Sequence, residues 1–412
     1  MGGSFKHWYN HSMVNKKRIL YFVPTFPVLS ETFIEREISK MVALGNVDIT
    51  VIALAKGRGS MTANSERVTV FRRLDWQACI KATKYFLLKP FRLLQILTRT
   101  FGIASFNPKN FYVFLKAVGY AQIFEEYKPE HIHVHFLSEP STIVLVVSQI
   151  LDVPFSVSGH AKDVFLTGTL ISQKVDKAKF VTICNTFAYN KCLEILHTTS
   201  NNKVHKIFHG IDPKTFEGIS KLIKPNRIVL FMGGTRLVEK KGIKYMIEAC
   251  RILKDMHIDF QLDLVGFGEM ANEIIDLVVK QNLGDVVNIH GGGKGMPFEE
   301  VVEYYKMADI FLLPSIEASN GDTDGVPTVV IEAAMSKLPV ISTNAGGVSD
   351  LIDSSNGIVV PQRDAKAIAD AVITLIQNPD LRKTLGQKAY DKAVITFDLD
   401  KNIKQLEDLL VA

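Results

Sequence analysis

Arg18-Ile19-Leu20-Tyr21-Phe22-Val23-Pro24 and, far down the chain, Arg227-Ile228-Val229-Leu230-Phe231-Met232-Gly233-Gly234 are the stretches that decide the fold. Each is a short apolar run that ends in a turn former. That pattern suits a parallel strand buried on both faces. After the first run, residues Glu31 to Leu44 read as a helix with Gly45 as its stop signal, and a second strand follows near Asp48 to Leu54. Strand, loop, helix, strand is the opening of a doubly wound sheet.

Further strands in the first half are expected at His131 to His135, Phe155 to Val157 and Phe180 to Ile183. The second series, opened by Arg227 to Met232, continues at Phe260 to Val265, Val286 to His290, Ile310 to Pro314, Pro339 to Ser342 and Gly357 to Val360. Helical stretches fill the gaps. The fold class is therefore α/β, with two Rossmann-like domains joined near Asp212 to Pro225. The expected bounds are 17–212 and 226–395. A final helix, about Leu399 to Leu410 within 396–412, is placed to pack back across the join. Ligands of such sheets bind beyond the carboxyl ends of the strands, so the loops there hold the candidate chemistry.

The 412 residues suffice for two such domains, and a composition of 47% hydrophobic and 22% charged residues lets both bury a core. A net charge of +5 is too mild to argue for nucleic acid. Cys79, Cys184, Cys192 and Cys250 form no CxxC pair and no metal-ligand spacing, as expected of thiols in a reducing compartment. Met1 to Lys17 lacks the apolar stretch of a secretory signal, and no apolar run is long enough to span a bilayer. A cytoplasmic protein, at most peripheral on the membrane, is the expectation.

In the second half, Gly233-Gly234-Thr235-Arg236 leads on to Lys240-Lys241-Gly242. Gly234 admits a ligand close to the backbone, Arg236 can clamp a phosphate through two parallel hydrogen bonds, and Lys241 adds a point charge. A solvated basic turn is the plainer reading of the same residues. Gly266 and Gly268 form a Gly-x-Gly after the next strand, which also fits tight strand-to-helix packing. The segment Gly291-Gly292-Gly293-Lys294-Gly295-Met296 suggests either mobility or backbone contact with a flat base, with Gly295 and Met296 on the donor side.

The loop after Ile310 to Pro314 carries the most information. Asp324-Gly325-Val326-Pro327 precedes a helix that starts with Thr328 and Val329, and the amides of those two residues sit where anions bind. Glu332 lies one turn further on, facing the same way, able to accept hydrogen bonds from ribose hydroxyls. Asp324 and Asp322 otherwise read as helix caps.

The run from Asp324-Gly325-Val326-Pro327 through Glu332-Ala333-Ala334-Met335 to Gly346-Gly347 resembles the retaining glycosyltransferases of family 4, which have the GT-B fold. Their hallmark is two acidic residues separated by seven positions. Asp324 stands where that family usually has glutamate, and Glu332 fills the second place. Phe26-Pro27-Val28-Leu29-Ser30-Glu31-Thr32, His131-Ile132-His133-Val134-His135-Phe136 and Ser158-Gly159-His160 are similar to the branch that builds exopolysaccharides such as colanic acid. His209-Gly210-Ile211-Asp212 resembles the family's hinge.

The resemblance implies a first domain that binds the acceptor and a second that binds a nucleotide sugar, most commonly a UDP-sugar. It implies transfer with retention to a saccharide or lipid-linked acceptor, no metal requirement and no other cofactor. Arg236, Lys241 and the helix start would meet the diphosphate, Asp324 would orient sugar hydroxyls, Glu332 would hold the ribose, and His160 would contact the donor sugar. Ser30, Glu31 and Thr32 would lie on the acceptor side. The three alternating histidines are assigned to packing or acceptor contact, because no carboxylate or cysteine lies at ligand spacing.

From Trp76 to Phe124 the chain has seven basic residues (Lys81, Lys84, Lys89, Arg92, Arg99, Lys109, Lys116), many aromatics and no acid. That composition suits an anionic membrane surface, or simply helices with solvated lysines. A nucleotide-sugar epimerase and a non-catalytic nucleotide-sugar-binding protein are the rival readings, the second favoured only by aspartate at position 324. A dinucleotide oxidoreductase lacks its Gly-x-Gly-x-x-Gly after the first strand.

Overall fold

The computed structural model describes residues 16–28, 31–102, 107–218 and 220–412. Among these, two parallel sheets carry the architecture. The first contains β1 (Arg18–Phe26), β2 (Asp48–Lys56), β3 (Thr69–Phe71), β4 (His131–His135), β5 (Phe155–Gly159), β6 (Phe180–Ile183) and β7 (Val204–Lys206), in the order β3-β2-β1-β4-β5-β6-β7. The second contains β8 (Ile228–Arg236), β9 (Phe260–Phe267), β10 (Val287–His290), β11 (Ile310–Leu313), β12 (Val340–Thr343) and β13 (Ile358–Val360), in the order β10-β9-β8-β11-β12-β13. The order reverses beside β1 in one sheet and beside β8 in the other. The crevice at such a reversal is where doubly wound folds bind ligands.

The expected strands are present, with two edge strands, β3 and β7, added. Both are three residues long, too short for hydrophobic alternation to mark them. β8 also runs further than its apolar stretch. A register shift between Met232 and Thr235 lets pairing with β9 resume through Thr235 and Arg236, so Arg236 sits on a strand end rather than in a loose loop. The first helix spans Thr32–Leu44 and stops at Gly45, whose φ of 67° is the left-handed turn that glycine adopts without strain.

The last helix, Leu399–Val411, lies on the first domain. Its Ile403, Leu406 and Leu410 share one cluster with Ile19 and Tyr21 of β1 and Ile38 of the first helix. Burying three such side chains contributes roughly 1.5–3 kcal/mol each. The Ile211 amide donates to the Phe397 carbonyl at 2.9 Å, so the chain crosses between domains twice at adjacent points.

Candidate active site

A cleft of about 1330 Å³ opens between the domains, beyond the carboxyl ends of both sheets. Its second-domain wall is built by two loops fastened together. Glu239 accepts hydrogen bonds from the Ser319 amide and hydroxyl, and the Ile316 amide donates to the Lys240 carbonyl at 2.8 Å. Gly242, at φ 64°, packs so closely on the Pro314 carbonyl that a Cβ there would lie 1.9 Å from its oxygen. Lys241 is thereby aimed at the loop that holds Asp324.

The Lys241 ammonium meets Asp324 Oδ2 at 2.7 Å, while Lys240 reaches Asp324 Oδ1 at 3.3 Å and Asp322 at 3.1 Å. All but Asp322 of this group are buried. Burial alone would raise the Asp324 carboxyl, but Lys241 and Lys240 hold it below the usual carboxylate range. Burial lowers Lys241, with Asp324 opposing the shift and Lys240 and Arg236 adding to it. The Asp324 oxygens are thus held by the two lysines.

Glu332 is also buried. Its Oε1 pairs with Arg36 of the first domain at 2.9 Å, and its Oε2 accepts from the Tyr305 hydroxyl at 3.0 Å. Arg36 stacks over Phe298, 4.8 Å from the ring centre. Its Nη1 is buried without a hydrogen-bond partner among the described residues. An arginine on one wall therefore holds the principal carboxylate of the other. The helix carrying Glu332 spans Thr328–Met335, with Pro327 in the capping position rather than in the first turn.

Arg236, Gly234, Gly266, Gly295, Met296, Gly325, Val326, Thr328 and Val329 line the same wall, as do Lys241, Asp324, Pro327 and Glu332. Gly268 does not. At φ 156°, its missing side chain is required by the Leu237 carbonyl, 2.5 Å from where a Cβ would stand, so this glycine serves packing. From the first domain, Glu31, Thr32 and His160 reach the cleft. Burial raises the Glu31 carboxyl, with His135 and Arg236 opposing it. Ser30 lies outside the described residues.

His160 sits in a chain of aromatic and imidazole rings. Its Nε2 lies 3.4 Å from His135 Nδ1 and its Nδ1 lies 3.3 Å from His209 Nε2. Phe33 stacks on His209 with ring centres 4.0 Å apart. Burial, then His209 and His135, holds His160 well below the ordinary imidazole range, and His209 is pushed down to about 3 for the same principal reason. Both rings are therefore neutral at pH 7. Asp163 accepts from the His160 and Leu137 amides at 3.1 and 3.0 Å, and burial pushes its carboxyl up to about 6.

Arg36, Tyr305, Lys240 and Glu37 were not singled out from sequence. Glu37 overturns one inference in particular. It stands 3.3 Å from His135 and 3.9 Å from His133, supplying the carboxylate that linear spacing did not reveal. Folding likewise brings Cys184 beside His160 and His209, although its sequence spacing gave no such sign.

Two facing Rossmann-like domains, with cations and an acidic pair on one wall of the cleft between them, make up the GT-B fold. Residues 214–392 match the family described as glycosyl transferases group 1, and the chain carries that domain. It is 27% identical to the amylovoran biosynthesis glycosyltransferase AmsK of Erwinia amylovora over 95% of this chain and 99% of the relative. It is 34% identical to the putative colanic acid biosynthesis glycosyltransferase WcaL of Escherichia coli over 43% of each. Among solved structures, a glycosyltransferase from Rickettsia africae superposes with a TM-score of 0.68 at 18% identity, covering 96% of this chain and 98% of that one. HepE of Anabaena in complex with UDP gives 0.68 at 15% identity, covering 96% and 99%. These two share the fold.

Proposed function

We propose that the protein transfers a sugar from a UDP-sugar, with retention at the anomeric carbon, to a saccharide or lipid-linked acceptor in the synthesis of a cell-surface polysaccharide. The observation that carries this reading is the convergence of Arg236, Lys241, the helix start at Thr328 and Glu332 on one wall of the cleft. Departure of a nucleoside diphosphate builds negative charge, and fixed cations and helix amides stabilise it without rearrangement. The Lys241–Asp324 pair keeps the lysine in place before the donor arrives. Glu332 exchanges Arg36 for the ribose hydroxyls as the donor binds. His160, neutral and buried, contributes ring and backbone dipoles near the sugar rather than a proton. The relatives of amylovoran and colanic acid synthesis support the polysaccharide assignment. The HepE complex with UDP supports the base.

A lipid-linked acceptor gives meaning to the face formed by helices Trp76–Leu88 and Pro90–Phe101, where Trp76, Leu87, Leu88 and Phe91 are exposed. Its charge is smaller than the composition suggested, because Lys84 pairs with Glu125, Arg92 with Asp152 and Lys116 with Glu139. Lys81 and Lys89 beside these apolar groups are the contacts proposed for an anionic membrane surface. No helix among the described residues is long and apolar enough to cross a membrane. Charge reversal at Lys81 and Lys89 is expected to abolish sedimentation with anionic vesicles; undiminished sedimentation rejects this face.

The transfer reading is tested by incubating the protein with a panel of nucleotide sugars and measuring free nucleoside diphosphate, with Lys241→Ala and Glu332→Ala as controls. Release from one UDP-sugar, lost in both variants, is expected. Release that persists in both variants removes the proposed site. The anomeric configuration of the product, read by NMR, tests retention.

A further inference from the structure

Glu37 lies on the buried face of helix Thr32–Leu44, and His133 and His135 lie on β4 beneath it. All three are buried, and their ligand-type atoms lie within 4.8 Å of one another. Two of these atoms face each other unsatisfied. Glu37 Oε1 and His135 Nε2 are 3.3 Å apart, yet neither makes a well-aligned hydrogen bond among the described residues, and the buried Tyr21 hydroxyl beside Glu37 is likewise unsatisfied. A buried carboxylate oxygen and an imidazole nitrogen left so close together are costly unless a proton or a metal cation lies between them.

The surrounding hydrogen bonds are compatible with a tautomer that frees two nitrogens for an ion. His133 Nδ1 lies 2.7 Å from Ser156 Oγ, and His135 Nδ1 faces His160 Nε2 at 3.4 Å. With hydrogens on both Nδ1 atoms, the two Nε2 lone pairs turn toward Glu37. Metal-bound histidines are commonly oriented by such a bond through the second ring nitrogen. The Ser158 hydroxyl, 3.0 Å from His133 Nε2, has Thr182 as an alternative partner at 2.9 Å. Donors on a tetrahedral zinc, with bonds of about 2.0–2.1 Å, stand about 3.3–3.4 Å apart. The 3.3 and 3.9 Å separations from Glu37 need only a small contraction to match.

We propose that Glu37, His133 and His135 form a buried site for a divalent first-row transition ion, with zinc as the reference probe. The ion would clamp the first helix to the sheet, and Arg36, the next residue on that helix, is the one that reaches across to Glu332. Its role is structural: it fixes the first wall of the cleft and takes no part in the transfer.

The test uses the full chain, stripped by a chelator and titrated with zinc against a chromophoric competitor, and then with cobalt for its absorption spectrum. The expected results are one zinc per chain and a cobalt spectrum without a thiolate charge-transfer band. Cys184→Ser should retain binding and Glu37→Gln should lose it. Ser156→Ala, which removes the orienting bond together with the bond to His131, should weaken binding by about 10–100-fold. A folded wild-type chain that takes up no zinc overturns the proposal and leaves a shared proton between Glu37 and His135. A thiolate band, or loss of zinc in Cys184→Ser with retention in Glu37→Gln, overturns it in favour of the neighbouring His160, Cys184 and His209 group. The cobalt spectrum needs no variant, so failure of Glu37→Gln to fold leaves the result decisive.

Discussion

The two walls of the cleft are built on opposite electrostatic plans. On the second domain, Lys240, Lys241, Asp322 and Asp324 form a charged network fastened by loop-to-loop hydrogen bonds. On the first, His133, His135, His160 and His209 are stacked or hydrogen-bonded rings from which burial drives out charge, at least at His133, His160 and His209. A wall that must stabilise a departing anion keeps its cations in place by pairing them. A wall proposed to face the sugar and acceptor sets a rigid stack of rings among the charged Glu31, Arg36 and Asp163. The Arg36–Glu332 bridge is the one ion pair described above that joins the two walls across the cleft.

If the charged wall works as a preorganised unit, Lys241→Ala has the largest effect. It leaves Asp324 buried with Lys240 alone, lowers stability by about 3 kcal/mol in urea unfolding and reduces turnover by at least about 10²-fold. The double variant Lys241→Met with Asp324→Asn recovers most of the stability and none of the turnover. Recovery of both would show that the pair serves packing alone.

The bridge between the walls comes next. Glu332→Gln is expected to lower kcat/KM for the donor by about 10–100-fold, the loss of hydrogen bonds to a charged group. Arg36→Met should alter donor KM and leave the product's anomeric configuration unchanged. An unaltered KM in both would detach the bridge from donor binding.

Gly268→Ala sharpens the contrast between residues that face the cleft and residues that support it. At φ 156° and against the Leu237 carbonyl, the substitution should cost roughly 1–3 kcal/mol of stability. UDP affinity of the folded fraction should not change.

At neutral pH the smallest effect belongs to the histidine stack. His209 has a folded pKa of about 3 against an ordinary value near 6.5. As pH falls below about 6.5 the unfolded chain takes up a proton that the folded chain refuses, so stability declines from there toward pH 3. His209→Asn should flatten that decline by up to about 1.4 kcal/mol per pH unit. An unchanged slope in denaturant titrations would mean that His209 is charged in the folded protein.

Much of the charged wall was legible in sequence because it is local. Gly233 to Gly242 and Pro314 to Met335 each place their chemistry within a single loop after a strand. The other partners of these residues were not legible. Arg36 and Tyr305 reach Glu332 from far away in the chain, and no spacing rule joins them. Glu37 left a trace that went unread. Ile34, Glu37, Ile38 and Met41 share the buried stripe of one helix, and a carboxylate on such a stripe asks for a partner. The fold itself was legible to the strand, apart from the three-residue β3 and β7, since the apolar runs are of strand length and end in turn formers.

The central claim is that the charged wall receives a nucleoside diphosphate. The direct measurement is calorimetric titration of the protein with UDP, UMP and uridine, repeated on Lys241→Ala. The account predicts that UDP binds at least about tenfold tighter than UMP or uridine, a difference of about 1.4 kcal/mol, and that Lys241→Ala erases most of that difference. Equal affinities for the three ligands, or a preference for UDP that survives in Lys241→Ala, would contradict it.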